Sequence, residues 1–234
     1  MTPSRPEADT AARCEQILQA ARAAIEEHGP GALTGQIAER AGLARPNFYR
    51  HFASKDALDL AVAHSAYQEL RAEIRTRLDL DGGTPLELIR APIAAQVTWA
   101  DGHPNLYRFL VGRGHQQSSQ RCKAERRDFA AELAAAGSRY FPQFADHLEN
   151  AETTVDALIG LIDAAVLRWL NQPNETPEQL IGRLAADAWL IVDHHLRKIG
   201  VHADPTVPLP TRPAGPVGTR RPRHRGGRSK STRE

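Results

Sequence analysis

The sequence predicts an all-α chain, and three observations carry that expectation. Apolar residues recur at helical spacing in stretch after stretch, as in Ile17, Leu18, Ala21, Ala24, Ile25 and His28. No stretch shows the apolar–polar alternation of a convincing strand. Aromatic residues make up only 6% of the 234, so Leu, Ile, Val and Ala must fill the core. An aromatic-rich β-barrel or sandwich is therefore disfavoured. With 41% hydrophobic and 25% charged residues the composition is that of an ordinary globular protein. The length allows one or two domains.

The helices can be justified in order. Asp9 or Thr10 is placed to cap the first, and Gly29-Pro30 stops it. A short helix over about 34–41 takes Thr34 as its cap and Gly42 as the glycine beyond its end. A second short helix over about 45–52 carries Pro46 in its first turn, where a missing N–H costs nothing. Ser54 caps a long helix whose apolar ladder is Leu58, Val62, Ala66, Leu70, Ile74 and Leu78. Further helices are expected over 85–100, 104–111, 122–141, 153–171 and 177–199. The last two are apolar on more than one face, so each is either central or covered by a partner. No repeat of 20–50 residues is evident.

Other classes fall away. Two cysteines, Cys14 and Cys122, cannot build a disulfide framework. The most apolar segment, 155–170, contains Asp156, Asp163 and Arg168, which are costly at a bilayer centre. No basic stretch followed by an apolar one opens the chain, so a cytoplasmic protein with no membrane partner is expected. The ten histidines form no convincing metal set, and adjacent His194 and His195 point about 100° apart on a helix. HExxH, CxxC, phosphate-loop and GxSxG patterns are absent, which leaves no catalytic residues and no cofactor to propose.

Charge is unevenly placed. Residues 201–234 carry eight Lys or Arg against two acids, while the whole chain is only +2. Six of the 16 prolines lie there too, and no apolar periodicity does. This stretch is expected to be a disordered basic tail, serving either to solubilise or as a non-specific polyanion arm. The organisation expected is a flexible N-terminus over 1–8, an N-terminal helical unit over 9–57, a helical body over 58–200, and the tail.

The informative run is IAERAGLARPNFYRHF, residues 37–52. Two short helices joined at Gly42, with small Ala38 and Ala41 between them, make a helix-turn-helix. Leu43, Phe48 and Phe52 can anchor it on the first helix. Arg45, Asn47, Tyr49, Arg50 and His51 offer groups for base edges and phosphates. Net charge alone does not reveal this site, because residues 1–60 hold seven basic and eight acidic side chains. Only the local set Arg40, Arg45, Arg50, His51 and Lys55 is basic.

Residues 13–60 resemble the DNA-binding domain of TetR-family regulators. The resemblance rests on Ile17-Leu18, Ala20-Ala21, Gly29, Thr34, Ile37-Ala38, Ala41-Gly42-Leu43, Phe48-Tyr49-Arg50-His51-Phe52, Ser54-Lys55 and Leu58. It implies an N-terminal three-helix DNA-binding domain and a C-terminal helical domain for ligand binding and dimerisation. Arg45, Pro46 and Asn47 would then open the recognition helix and face bases, and Arg50 belongs to the same DNA-binding set. Tyr49 and His51 would contact phosphates, and Thr34 and Lys55 would hold the backbone at helix starts. The sequence departs from the family in running from Thr34-Gly35-Gln36 into Ile37, in Pro46, and in Ala44 where a Ser cap is usual.

The resemblance further implies a small-molecule effector pocket in the body. Trp99, His103, Tyr107, Phe109, His115, Gln116, Phe129 and Trp169 are its polar and aromatic candidates, although plain core or surface packing is the more ordinary role for each. Val155, Leu158, Ile159, Ile162, Val166 and Trp169, with Leu184, Ala188, Ile191 and His195, are the candidates for a homodimer interface. The function implied is a regulator, most often a repressor in this family, that binds a pseudo-palindromic double-stranded operator as a homodimer. The alternatives are a ligand-blind DNA-binding or architectural protein, and a helical carrier or enzyme with an incidental helix-turn-helix.

Overall fold

In the computed structural model, which describes residues 5–44, 49–78, 83–116, 120–141, 143 and 147–209, helix follows helix. They are α1 (Arg5–His28), α2 (Thr34–Arg40), α3 (Lys55–Arg75), α4 (Pro85–Gly102), α5 (Pro104–Gln116), α6 (Gln120–Ser138), α7 (Leu148–Asn171) and α8 (Pro177–Lys198). The one β-bridge among the described residues pairs Gly83 with Leu209. The all-α expectation holds.

Several boundaries follow directly from the sequence. The N–H of Gly29 still bonds the Ile25 carbonyl at 2.8 Å, but its φ of 86° turns the chain out of α1. Gly42, with φ of 64°, closes α2 in a Schellman turn. There the Leu43 N–H reaches the Ala38 carbonyl at 2.9 Å and the Gly42 N–H reaches that of Glu39 at 3.0 Å. Ser54 caps α3 by accepting from the Ala57 N–H at 3.0 Å. Thr84 and Thr176 cap α4 and α8 in reciprocal boxes with Glu87 and Gln179.

Other boundaries differ from the expectation. α1 begins at Arg5, inside the stretch expected to be flexible and ahead of Asp9 and Thr10. Pro6 lies in its first turn, where the backbone N–H has no helical partner to lose. Thr34 is not the cap of α2 but its first helical residue. Leu33 takes the extended capping position, and its N–H donates to Gln36 Oε1 at 2.7 Å. Of the helix expected over 45–52, residues 45–48 lie outside the described residues, and Tyr49, Arg50 and His51 form a turn. The chain must leave helical geometry there to bring Ser54 into the extended conformation that caps α3.

One continuous core runs from Ile17, Ile25 and Ile37 through Leu58 and Val62 to Val97, Tyr107, Leu180 and Leu184. α3 belongs to both ends of it: α1 packs against its start, and α4 packs along it. In the body α4 lies on α8, and α6 lies on α7. A smaller cluster of Phe141, Trp189 and Leu196 is covered by Val201, Ala203 and Leu209.

That covering strap corrects the expected tail. Residues 201–209 are held in place: the Leu86 N–H donates to the Pro205 carbonyl at 3.3 Å, and the Leu209 N–H to the Gly83 carbonyl at 2.9 Å. Apolar Val201, Ala203 and Leu209 supply the contact that holds the strap against Phe141, Trp189 and Leu196. Residues 210–234, with all eight basic side chains of the tail, lie outside the described residues.

Nothing stands within 4 Å of a Cβ added at Gly42, so only its φ resists substitution. Gly42→Ala is expected to lower stability by about 1–2 kcal/mol through the left-handed conformation alone. Urea unfolding followed by circular dichroism measures it.

Candidate nucleic-acid interface and effector cavity

The helix-turn-helix presents some of its candidate residues and engages others. Tyr49 and Arg50 are exposed on the turn that leads to α3. His51 is half-buried, with Nδ1 4.0 Å from Cys14 Sγ of α1. Lys55 Nζ lies 2.5 Å from Oδ1 of buried Asp59, so its charge is already partnered. Arg40 pairs with Glu27. Thr34 is half-buried at the start of α2. Arg45, Pro46 and Asn47 fall outside the described residues.

Two carboxylates join this head to the body. Glu26, near the end of α1, accepts the Leu106 N–H at 2.7 Å and so caps the start of α5. Asn105 Nδ2 donates to the Glu26 carbonyl at 2.8 Å. Glu69 of α3 pairs with Arg22 of α1 and accepts Trp99 Nε1 of α4 at 2.9 Å. Burial pushes the Glu69 carboxyl up, but the hydrogen bonds from Trp99 and Arg22 and the Arg22 charge outweigh it, leaving it below the usual carboxylate value.

Within the body α3, α4, α6, α7 and α8 enclose a cavity of about 450 Å³. Its wall on α4 is the stripe Pro85, Leu88, Ile89, Pro92, Ile93 and Gln96. Pro92 withholds an N–H from the α4 ladder on that wall. At the inner end Gln96 Nε2 donates to Tyr107 Oη and to Asp163 Oδ1, both at 2.8 Å. Tyr107 Oη donates to the same Asp163 oxygen at 3.0 Å. Burial, then the Asp163 charge, hold the Tyr107 hydroxyl well above its ordinary pKa. Arg126 Nη1 stands 3.7 Å from the other Asp163 oxygen.

Of the pocket candidates named from sequence, Phe129 lines the cavity. Trp99 and His103 lie instead at the Glu69 joint, with Phe109 buried in the core, and Trp169 donates to the Glu175 carbonyl at 2.9 Å. Tyr107 touches the cavity only through Gln96. The side chains of His115 and Gln116 are outside the description. Arg77, Gln96, Tyr140, His147 and Lys198 line the cavity without having been singled out. A signal for Gln96 was present, since it is the lone polar member of an i, i+3, i+4, i+7, i+8, i+11 stripe.

The interface candidates are mostly interior. Val166 and Leu184 have no exposed surface, and Leu158, Ile162, Trp169 and Ala188 are buried in the protomer. Val155, Ile159 and His195 line the cavity, and Ile191 packs on the core. None of the buried set has surface left to offer a second chain. The faces open to solvent carry Ala157, Leu161 and Ala164 on α7 and Gly182, Ala186, Leu190 and His194 on α8. Among the described residues no group of three or more His, Cys, Asp or Glu side chains could hold a metal ion, and no helix is long and apolar enough to cross a membrane.

A short helix, a tight glycine turn and an exposed Tyr-Arg pair, carried on a helical body with an apolar cavity, define a helix-turn-helix DNA-binding transcriptional regulator. Residues 17–62 match the profile of bacterial regulatory proteins of the tetR family. An uncharacterized HTH-type transcriptional regulator of Mycobacterium tuberculosis is 25% identical over 180 residues, spanning 76% of each chain. Residues 17–62 are thus a TetR-type DNA-binding unit, in a chain similar to an HTH-type transcriptional regulator. The fold is shared with a tetR-family transcriptional regulator from Streptomyces coelicolor, with a TM-score of 0.62 at 20% identity over 81% of this chain and 86% of that one. It is shared also with a putative transcriptional regulator from Pseudomonas aeruginosa, with a TM-score of 0.58 at 18% identity over 83% and 95%.

The inner wall depends on one acceptor. Asp163→Ala removes the oxygen that takes the protons of both Tyr107 and Gln96, leaving buried donors unmet at a cost of about 1–3 kcal/mol. A matching fall in the urea midpoint is expected, and Asp163→Asn should restore part of it.

Proposed function

We propose that the protein is a homodimeric repressor that leaves a pseudo-palindromic operator when a small molecule enters the body cavity. The observation that carries this reading is the cavity of about 450 Å³, a size suited to a small ligand. Its wall includes the far end of α3, whose near end packs in the head. A ligand that shifts α3 acts on the head through the Arg22–Glu69–Trp99 joint. Coupling of this kind is typically about 1–3 kcal/mol. A ligand-blind protein would gain nothing from an unfilled apolar space, which costs stability.

On the DNA, Arg45 and Asn47 read base edges and Pro46 opens the reading segment. Tyr49, Arg50 and His51 meet phosphates, with Thr34 and Lys55 holding the backbone. The dimer forms through the exposed α7 and α8 faces, where Leu161 and Leu190 stand out as apolar surface, Leu190 being 67% exposed. Two chains joined there make a four-helix, self-complementary interface.

Selection of bound sequences from a random DNA pool, followed by gel shifts, tests the reading as a whole. A pseudo-palindromic consensus is expected, and enrichment of no sequence would overturn it. Arg50 is exposed and makes no hydrogen bond or ion pair among the described residues, so Arg50→Ala should leave folding unaffected. It should weaken binding to all sequences alike and flatten the salt slope by about one. Leu161→Glu with Leu190→Glu should convert a dimer into a folded monomer in sedimentation at micromolar concentration, because neither side chain is buried in the protomer.

A further inference from the structure

We propose that the effector is an amphiphilic organic anion, with its apolar body inside the cavity and its anionic group at the end bounded by Arg77 and Lys198. This rests on the reading of the cavity as the effector site.

The cavity wall holds no Asp or Glu among the described residues, yet it holds Arg77, His147, His195 and Lys198. These four share one end of the bundle. Arg77 follows the last turn of α3, His147 precedes α7, and His195 and Lys198 lie in the last turn of α8. Along α4 that end is separated from Gln96 by about 16 Å, at 1.5 Å per residue from Pro85. Between the two ends the wall is dominated by aliphatic and aromatic side chains such as Ile89, Ile93, Phe129, Leu158 and Ile162.

Among the described residues, no carboxylate offsets the charge at this end. Arg75 and Arg197, close neighbours in sequence, are bound to Glu132 and Asp193. Arg71, Arg90 and Arg183 are also paired, with Glu132, Glu178 and Glu175. Arg77 and Lys198 pair with no carboxylate among the described residues. Burial, together with Lys198 and His194, holds His195 below its ordinary pKa, so the standing positive charge belongs to Arg77 and Lys198.

The inner end sets the ligand's direction. The Asp163 carboxylate can only accept, so it fixes Gln96 with its NH2 toward Asp163 and Tyr107. What Gln96 has left is a carbonyl oxygen, since the Asp163 charge is already paired with Arg126. An anionic group there would meet an acceptor, whereas at the other end it meets the Arg77 and Lys198 cations.

Trp189 lines the cavity and reports occupancy by its fluorescence. The purified full-length protein is titrated with decanoate, decanol and decyltrimethylammonium, each below its micelle concentration. Decanoate should bind at least about fivefold tighter than decanol, the order expected of partly screened ion pairs, with the cation weakest. Arg77→Gln with Lys198→Gln, both at exposed positions, should remove that advantage and leave decanol binding and the melting temperature unchanged. Equal binding of acid and alcohol, or a preference that survives the double variant, overturns the charged-end assignment and leaves the cavity as an effector site. Binding of none of the three overturns both. Decanoate binding that leaves the gel shift on the selected operator unaltered overturns the effector reading alone.

Discussion

The Glu26 carboxylate at the start of α5 is the contact on which the arrangement of head and body depends. A helix start leaves its first N–H groups without internal partners. Here a side chain from another helix supplies the acceptor, at 2.7 Å from the Leu106 N–H, and its charge suits the positive end of α5. Because Asn105 also grips the Glu26 backbone, α1 cannot rotate relative to α5 without breaking both bonds. The second joint, Arg22 to Glu69 to Trp99, ties the same helix to α3 and α4. Head and body therefore share one core, and no flexible linker separates them.

The cavity is the counterpart of that rigidity. α4 contributes an apolar stripe interrupted by Pro92, and α7 turns Val155, Leu158, Ile159 and Ile162 toward the same space. A void lined by such residues forgoes dispersion contacts and lowers stability. The hydrogen-bonded Gln96–Tyr107–Asp163 set closes one end without closing the middle. At the other end the strap over 201–209 buries Trp189 and Phe141, whose other faces line the cavity. The C-terminal strap thus backs two residues of the wall, and the eight basic residues of the tail follow it in sequence.

Much of the fold was legible in the sequence because local rules decide it. Helical periodicity, Ser54, Thr84 and Thr176 as caps, and glycine where φ must be positive at Gly29 and Gly42 all act within a few residues. The motif over 37–52 identified the DNA-binding unit although that unit is not basic overall. Legibility ended where one residue's role depends on a distant one. Thr34 and Leu33 compete for a single capping position, and Gln36 settles it by holding the Leu33 N–H.

The sequence by itself determined that this chain is helical, where most helices stop, and that α7 and α8 are apolar around much of their circumference. Only the tertiary structure decided what covers each side of those helices. An apolar stripe broader than one face can serve a core, a cavity or a partner, and period alone does not assign the sides. Packing against α4 and α6 claimed Val166, Leu184 and Ala188 for the core, and left Leu161 and Leu190 outside. In the same way Arg77 and Lys198, more than a hundred residues apart, read as ordinary surface charge until helix ends brought them to one cavity. Local preferences are set by neighbours along the chain, whereas a site is made by residues whose only connection is the packing of the helices that carry them.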